Sequence, residues 1–197
     1  MTFAMHRRGL FLGLSVILLA ACATPPPSPQ FPQLTFTHVP PIRLDARRLT
    51  IVDDYKTAGR SDVSQGMPVP PAVAVHQWAN DRLVPAGNSG QIVVTITEAS
   101  VIETALEKTK GVRGVVTTDQ SERYDGRLAV KVEIRDTAAR RGGDVSAVAT
   151  RSRTVAENVS LNQRDKVWFE ITESMIQDLD RELEKAIGQF LQPFVVR

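Results

Sequence analysis

The residue best placed to do chemistry is Cys22, the only cysteine among the 197 residues. It follows the small and apolar residues Leu19–Ala21 at the end of an apolar run over residues 9–20, and Arg7 and Arg8 precede that run. A positive start, an apolar stretch of about a dozen residues and small residues at its end are typical of a secretory signal peptide. A transmembrane helix needs roughly 20 apolar residues, so the pattern predicts export and cleavage, without a membrane span.

The tetrad Leu19-Ala20-Ala21-Cys22 resembles the lipobox of bacterial lipoproteins. The resemblance implies that the chain is cut between Ala21 and Cys22, which removes residues 1–21. It also implies a diacylglycerol thioether on Cys22 and an acyl chain such as palmitate on the new N-terminus, and two or more chains hold a protein stably at a membrane. The alternative is an ordinary signal peptide with an incidental cysteine.

The residue after the cysteine carries a second implication of the same resemblance. In bacterial lipoproteins an aspartate at this position tends to retain the protein in the inner membrane, and here the position is Ala23. The resemblance therefore implies the outer membrane, on its periplasmic face.

Charge and cysteine content exclude several classes of function. Loss of residues 1–21 removes Arg7 and Arg8 and no acidic residue, which leaves equal numbers of basic and acidic side chains. A balanced chain lacks the basic footprint that nucleic-acid binding needs. With Cys22 acylated no thiol remains for a disulfide or a thiolate metal site, so we expect no metal and no cofactor.

The mature chain divides into a linker and one domain. Seven prolines lie between Thr24 and Pro41, which predicts an extended linker over residues 22–45 with a reach on the order of 50 Å. The remaining residues, 46–197, suit a single periplasmic domain with one core.

Hydrophobic periodicity predicts four strands and two helices. The strands are expected at residues 48–55, 91–105, 124–135 and 145–155, the last with a bulge near Arg151 and Arg153, and the first helix at residues 72–84.

A long final helix is expected at residues 163–191, capped by Asn162 and ended by Pro193. Its apolar stripe comprises Trp168, Ile171, Met175, Leu179, Leu183, Ala186, Ile187 and Phe190. We therefore predict an α+β fold in the order β-α-β-β-β-α, with two helices on one face of a four-stranded antiparallel sheet.

No catalytic motif stands out, and the protein is predicted not to be an enzyme. His76 lies two residues before Trp78 and is interpreted as a boundary residue of the first helix. Asp53 and Asp54 are adjacent on a strand, so their carboxylates face opposite sides. The segment 108–114 resembles an anion-binding loop in composition only, and a solvated hairpin loop is the preferred interpretation.

The layout resembles the auxiliary lipoproteins of ABC-type envelope lipid transporters, which carry a His-x-Trp-Ala-like signature on the first helix. Here that stretch is His76-Gln77-Trp78-Ala79, and the chain departs from the pattern in its long loop at residues 107–123. The lipopolysaccharide-assembly lipoproteins have a related layout. The resemblance implies a non-enzymatic accessory protein of lipid or lipopolysaccharide transport, which binds the membrane through Cys22 and also an envelope protein or lipid.

The competing interpretation is a scaffold that assembles an envelope complex, and a hydrolase comes third. A lipid carrier is expected to hold an apolar cavity between its helices and sheet. A scaffold is expected to have a filled core and an exposed binding surface.

Overall fold

The computed structural model describes residues 30–107, 120–156 and 158–197. It has an α+β fold, as predicted, and none of the described helices is long and apolar enough to cross a bilayer. The strands are β1 (Ile42–Leu44), β2 (Arg48–Asp53), β3 (Leu83–Pro85), β4 (Gln91–Ala105), β5 (Gln120–Asp136) and β6 (Arg141–Ala156), and the helices are α1 (Pro71–Arg82) and α2 (Leu161–Phe190).

The main sheet has the strand order β2-β4-β5-β6 and is mixed. β4, β5 and β6 are antiparallel neighbours, as predicted, but β2 runs parallel to β4, with Leu49 opposite Ile92. The prediction of a wholly antiparallel sheet was therefore wrong. The reason is α1, which carries the chain back to the end where β2 began, so that β4 starts in the same direction.

A small parallel sheet of β1 and β3 was not predicted. Leu44 in β1 has no exposed surface, and Phe36 further upstream is only 6% exposed. Near the C-terminus, Val195 bridges to Leu44, which closes this layer. Packing thus begins before residue 46, and much of the segment that the sequence assigns to the linker is part of the folded domain.

The expected bulge in β6 was wrong. Pairing of β5 with β6 is unbroken from Glu122 opposite Val155 to Asp136 opposite Arg141. Arg151 lies on the same face as the buried Val145, Ala147 and Ala149, and it is neutralised there by a salt bridge from its guanidinium to Asp178 of α2. Because Arg151 is paired with Asp178, it can occupy an inward position of β6, and the alternation of apolar and polar residues is interrupted there without a bulge. The irregularities of the sheet lie elsewhere, between Ile96 and Glu98 and between Gln120 and Glu122.

Helix α2 begins at a capping box rather than at the predicted cap Asn162. The Ser160 hydroxyl accepts from the Gln163 amide, and the Gln163 side chain accepts from the Ser160 amide. The buried stripe is confirmed at Ile171, Met175, Leu179, Leu183 and Ile187, whereas Phe190 is 64% exposed. Phe190 lies outside the core because the chain turns after it, and Leu191 and Phe194 fill that position.

The interface between α2 and the sheet is closely packed. A Cβ atom added to Gly126 of β5 would lie 2.8 Å from Met175 Sδ and 3.0 Å from Ile171 Cγ2, so side chains of α2 pack directly against the strand backbone at this glycine. Leu128 and Leu179 nearby are fully buried. At this point of the interface, side chains of α2 fill the space against the sheet.

We predict that Leu183→Ala lowers the free energy of unfolding by about 2–5 kcal/mol, the usual cost of truncating a buried leucine. The measurement is a urea titration followed by circular dichroism. Lys185→Ala, an exposed change on the same helix, is the control and should stay within about 0.5 kcal/mol of the parent. Equal midpoints for Leu183→Ala and the parent would contradict this packing.

Candidate functional site

The predicted attachment site lies just upstream of the described residues, which exclude Ala21, Cys22 and the loop segment 108–114. Lipidation of Cys22 stays a prediction. Gln30 is eight residues after Cys22, and eight residues span at most about 26–29 Å when fully extended. Because the chain is part of the packed structure soon after Gln30, the reach is about half of the 50 Å expected from the proline-rich linker.

Residues 31–36 follow the span from Cys22 to Gln30, which we call the tether, and they contact both helices. Phe31 stacks on Phe169 of α2, with ring centroids 5.1 Å apart. The Phe36 amide and the Thr35 hydroxyl donate to Asp81 Oδ2 of α1 at 2.8 Å and 2.9 Å. Desolvation opposes ionisation of Asp81, but these hydrogen bonds and one from the Gln77 side chain outweigh it and lower the pKa of the carboxyl.

Four residues after Phe36, the chain is bound at Pro40 by a buried guanidinium group. Arg82 at the end of α1 has no exposed surface, and its guanidinium donates to the Pro40 carbonyl. It also donates to Asp180 Oδ1 at 2.7 Å and to Glu184 Oε2 at 2.8 Å, both on α2. Glu184, which is not part of the apolar stripe expected for this helix, therefore belongs to this network. The network joins the anchored segment, α1 and α2.

The His-x-Trp-Ala stretch on α1 has two separate faces. Trp78 and Ala79 are fully buried, and Trp78 Nε1 donates to Asp180 Oδ1 at 2.8 Å. His76 lies on the surface, where its Nε2 is 2.8 Å from Asp53 Oδ1 of β2. The stretch acts here as a structural element, because Trp78 and Ala79 pack in the core and Trp78 donates to the Asp180 carboxylate, which also accepts from Arg82.

The surface pair of His76 and Asp53 supplies two of the three groups of a nucleophilic catalytic site, a base and its carboxylate. Their side chains are 40% and 55% exposed, and across the described ranges no serine, threonine or cysteine side chain hydrogen-bonds to His76. The same residues contain no group of three His, Cys, Asp or Glu side chains that could hold a metal ion. The absence of enzyme activity stays a prediction.

The free edge of β6 is the longest open edge of the sheet. β6 has 16 residues and pairs only with β5 among the described strands, and it contains neither proline nor lysine. A groove of about 460 Å³ lies between its central residues 146–151 and the side of α2 that carries Asp178, Glu182 and Ala186. Phe190 follows Ala186 by one helical turn on that side. Val148, which is 48% exposed, points to the opposite face of the sheet, so exposed apolar side chains flank this edge on both sides.

Comparisons with known proteins give only remote structural likeness. No family model and no curated protein matches the chain. Among solved structures it is similar to a minor lipoprotein from Acinetobacter baumannii, with 14% identity over 78% of this chain and 98% of that one and a TM-score of 0.36. It is also similar to rare lipoprotein B from Shewanella oneidensis, with 13% identity over 73% and 96% and a TM-score of 0.38. A third neighbour is a protein from Xanthomonas campestris, with 9% identity over 75% and 90% and a TM-score of 0.30. Values this low carry no argument about function, which is argued below from the chain's own residues.

We predict that Arg82→Ala lowers the free energy of unfolding by about 3–5 kcal/mol, because it leaves Asp180 buried without its cation. The measurement is a urea titration at neutral pH. Arg181→Ala is the matched control, since Arg181 is an exposed arginine that pairs with Asp178 on the same helix, and it should cost at most about 1 kcal/mol. A loss for Arg82→Ala no larger than that of the control would contradict the role given to this network.

Proposed function

We propose that this protein is a lipid-anchored, non-enzymatic component of the bacterial envelope whose domain binds a protein partner close to the membrane. Cys22 carries the lipid, and the outer membrane, on its periplasmic side, is the location that the absence of an aspartate at residue 23 favours. Support for a short tether comes from the packed segment after Gln30, which holds the domain within about 29 Å of the lipidated residue.

The observation that carries the choice of partner is the closed interface between α2 and the sheet. Gly126 lies against Met175 and Ile171 with no space for an added methyl group. A lipid carrier needs an apolar cavity, and this region is where the two-layer fold would provide one. The filled core favours an assembly role over lipid carriage, so the accessory part in lipid or lipopolysaccharide transport becomes the second candidate, supported by the His76–Ala79 resemblance alone.

The free edge of β6 is the surface best suited to a protein partner. An exposed strand edge offers unpaired backbone donors and acceptors that an extended segment of another chain can use. A second copy of this protein is a poor occupant, because α2 packs mainly over β6. Two paired β6 strands would lie about 4.8 Å apart, whereas packed helices need about 8–10 Å.

The preferred occupant is therefore a single extended segment from another envelope protein. The outer side of β6 presents Ser146, Val148 and Thr150 to it, which are uncharged. An uncharged segment avoids burying an unpaired charge against these side chains.

We predict that Cys22→Ser abolishes labelling of the protein by a palmitate analogue, because serine lacks the thiol that receives diacylglycerol. Thr24→Ser, a conservative change two residues away, is the control and should be labelled like the parent. Equal labelling of Cys22→Ser and the parent would disprove the anchor.

We also predict that a photo-crosslinking amino acid at position 148 of β6 captures a discrete protein in living cells. The same amino acid at position 73, an exposed valine on α1, serves as the control and should capture none. Loss of the adduct on Ser146→Pro, which removes an outward-facing backbone donor at an exposed position of β6, would tie the contact to the strand edge. An adduct of lipid at position 148, or equal protein adducts at both positions, would contradict the proposal.

A further inference from the structure

A second open site lies at the end of the sheet where β2 and β4 begin and β5 ends. It is a cleft of about 560 Å³, lined by Arg47 and Arg48, by the turn Asn88–Gly90 and by Arg135 and Asp136. The two sides come from distant parts of the sequence. Their approach is fixed by the turn, because the Arg47 amide donates to the carbonyls of Ser89 and Gly90 at 3.1 Å and 3.3 Å.

The cleft carries uncompensated positive charge. Arg48 donates through Nε to the neutral side chain of Gln91 at 3.1 Å, so its charge is not offset, and Arg47 has no carboxylate partner among the described residues. Arg135, in contrast, is paired with Glu133 at 2.9 Å.

The single acidic residue of the lining is turned inward. The Asp136 carboxylate accepts from Ser89 Oγ at 2.7 Å, from the Ala139 amide at 3.0 Å and from Arg141 at 3.3 Å. Its negative charge is therefore compensated by donors within the protein, and the side chain is 1% exposed. The surface that faces the solvent is dominated by Arg47 and Arg48.

The cleft and the anchored segment lie near opposite ends of α2. Gly143, just after the β5–β6 turn, lies against Leu191, so the cleft is at the C-terminal end of α2. Phe31, just after the tether, packs at Phe169, which is 22 residues earlier on the helix and thus about 33 Å away along its axis. With the anchor as proposed above, the cleft lies at the end of the domain remote from the anchored segment.

We propose that Arg47 and Arg48 form a binding site for a phosphate-class anion. Two guanidinium groups offer forked donors whose geometry matches phosphate oxygens. The site adds to the proposed function and rests on it only for its position relative to the anchored segment. Two sources share this chemistry: a soluble or polymeric phosphate, and the headgroups of an opposing lipid surface.

The test uses the full mature lipoprotein in neutral detergent, with pyrophosphate as the probe in isothermal titration calorimetry. The double variant Arg47→Gln/Arg48→Gln should weaken binding about tenfold or more, because each lost hydrogen bond joined two charged groups. The control Arg60→Gln/Arg153→Gln removes the same charge from two other exposed arginines and should leave the affinity unchanged. Equal urea midpoints for both double variants would show that folding is intact.

A second arm separates the two sources. The lipoprotein is reconstituted in phosphatidylcholine vesicles, and added vesicles of phosphatidylglycerol are followed by light scattering. Bridging that is lost with Arg47→Gln/Arg48→Gln supports a headgroup ligand, and pyrophosphate binding without bridging supports a soluble or polymeric phosphate. Failure to bind pyrophosphate, or equal losses in both double variants, overturns the proposal. Because the detergent arm does not depend on the lipid of Cys22, such a failure would leave the proposed anchor untouched.

Discussion

The buried guanidinium of Arg82 is the interaction on which the rest of the domain depends. It has no exposed surface, and its donors are shared between the Pro40 carbonyl and the carboxylates of Asp180 and Glu184. A buried charge is tolerated only when its partners stand in the right directions, so this one group fixes the relative positions of three segments. Hydrophobic contacts between α1 and α2 would hold the helices together without specifying where the incoming chain must lie.

The two faces and the two edges of the sheet differ in what they can bind. One face is covered by the helices and closely filled, and the other is wet and crossed by ion pairs such as Arg127 with Glu98 and Lys131 with Asp144. Among the described residues, the covered face is filled by side chains such as Leu128, Met175 and Leu179, which have no exposed surface. The β2 edge is 6 residues long and the β6 edge is 16, so backbone hydrogen bonding has far more to offer a partner on the β6 side.

Local patterns predicted the elements well and their connections poorly. Alternation along residues 128–134 and the helical stripe at 171–187 were strong enough to locate β5 and α2 and to identify the core. The parallel pairing of β2 depends on where α1 returns the chain, which no local pattern encodes. Strands of three residues such as β1 carry too little periodicity to detect. The Arg82 network joins residues about a hundred positions apart, which no local pattern encodes. The absence of lysine and proline from β6 does not mark it as an open strand, because β2 and β4 lack these residues as well.

The short span between Cys22 and the packed segment has a consequence for affinity. With Cys22 anchored as proposed, Gln30 stays within about 30 Å of the membrane, and short tethers of this kind give local concentrations in the millimolar range for a partner held at the same surface. A membrane-bound partner would then meet the domain by lateral diffusion in two dimensions. Contacts too weak to survive dilution in a test tube would still be occupied at the membrane surface.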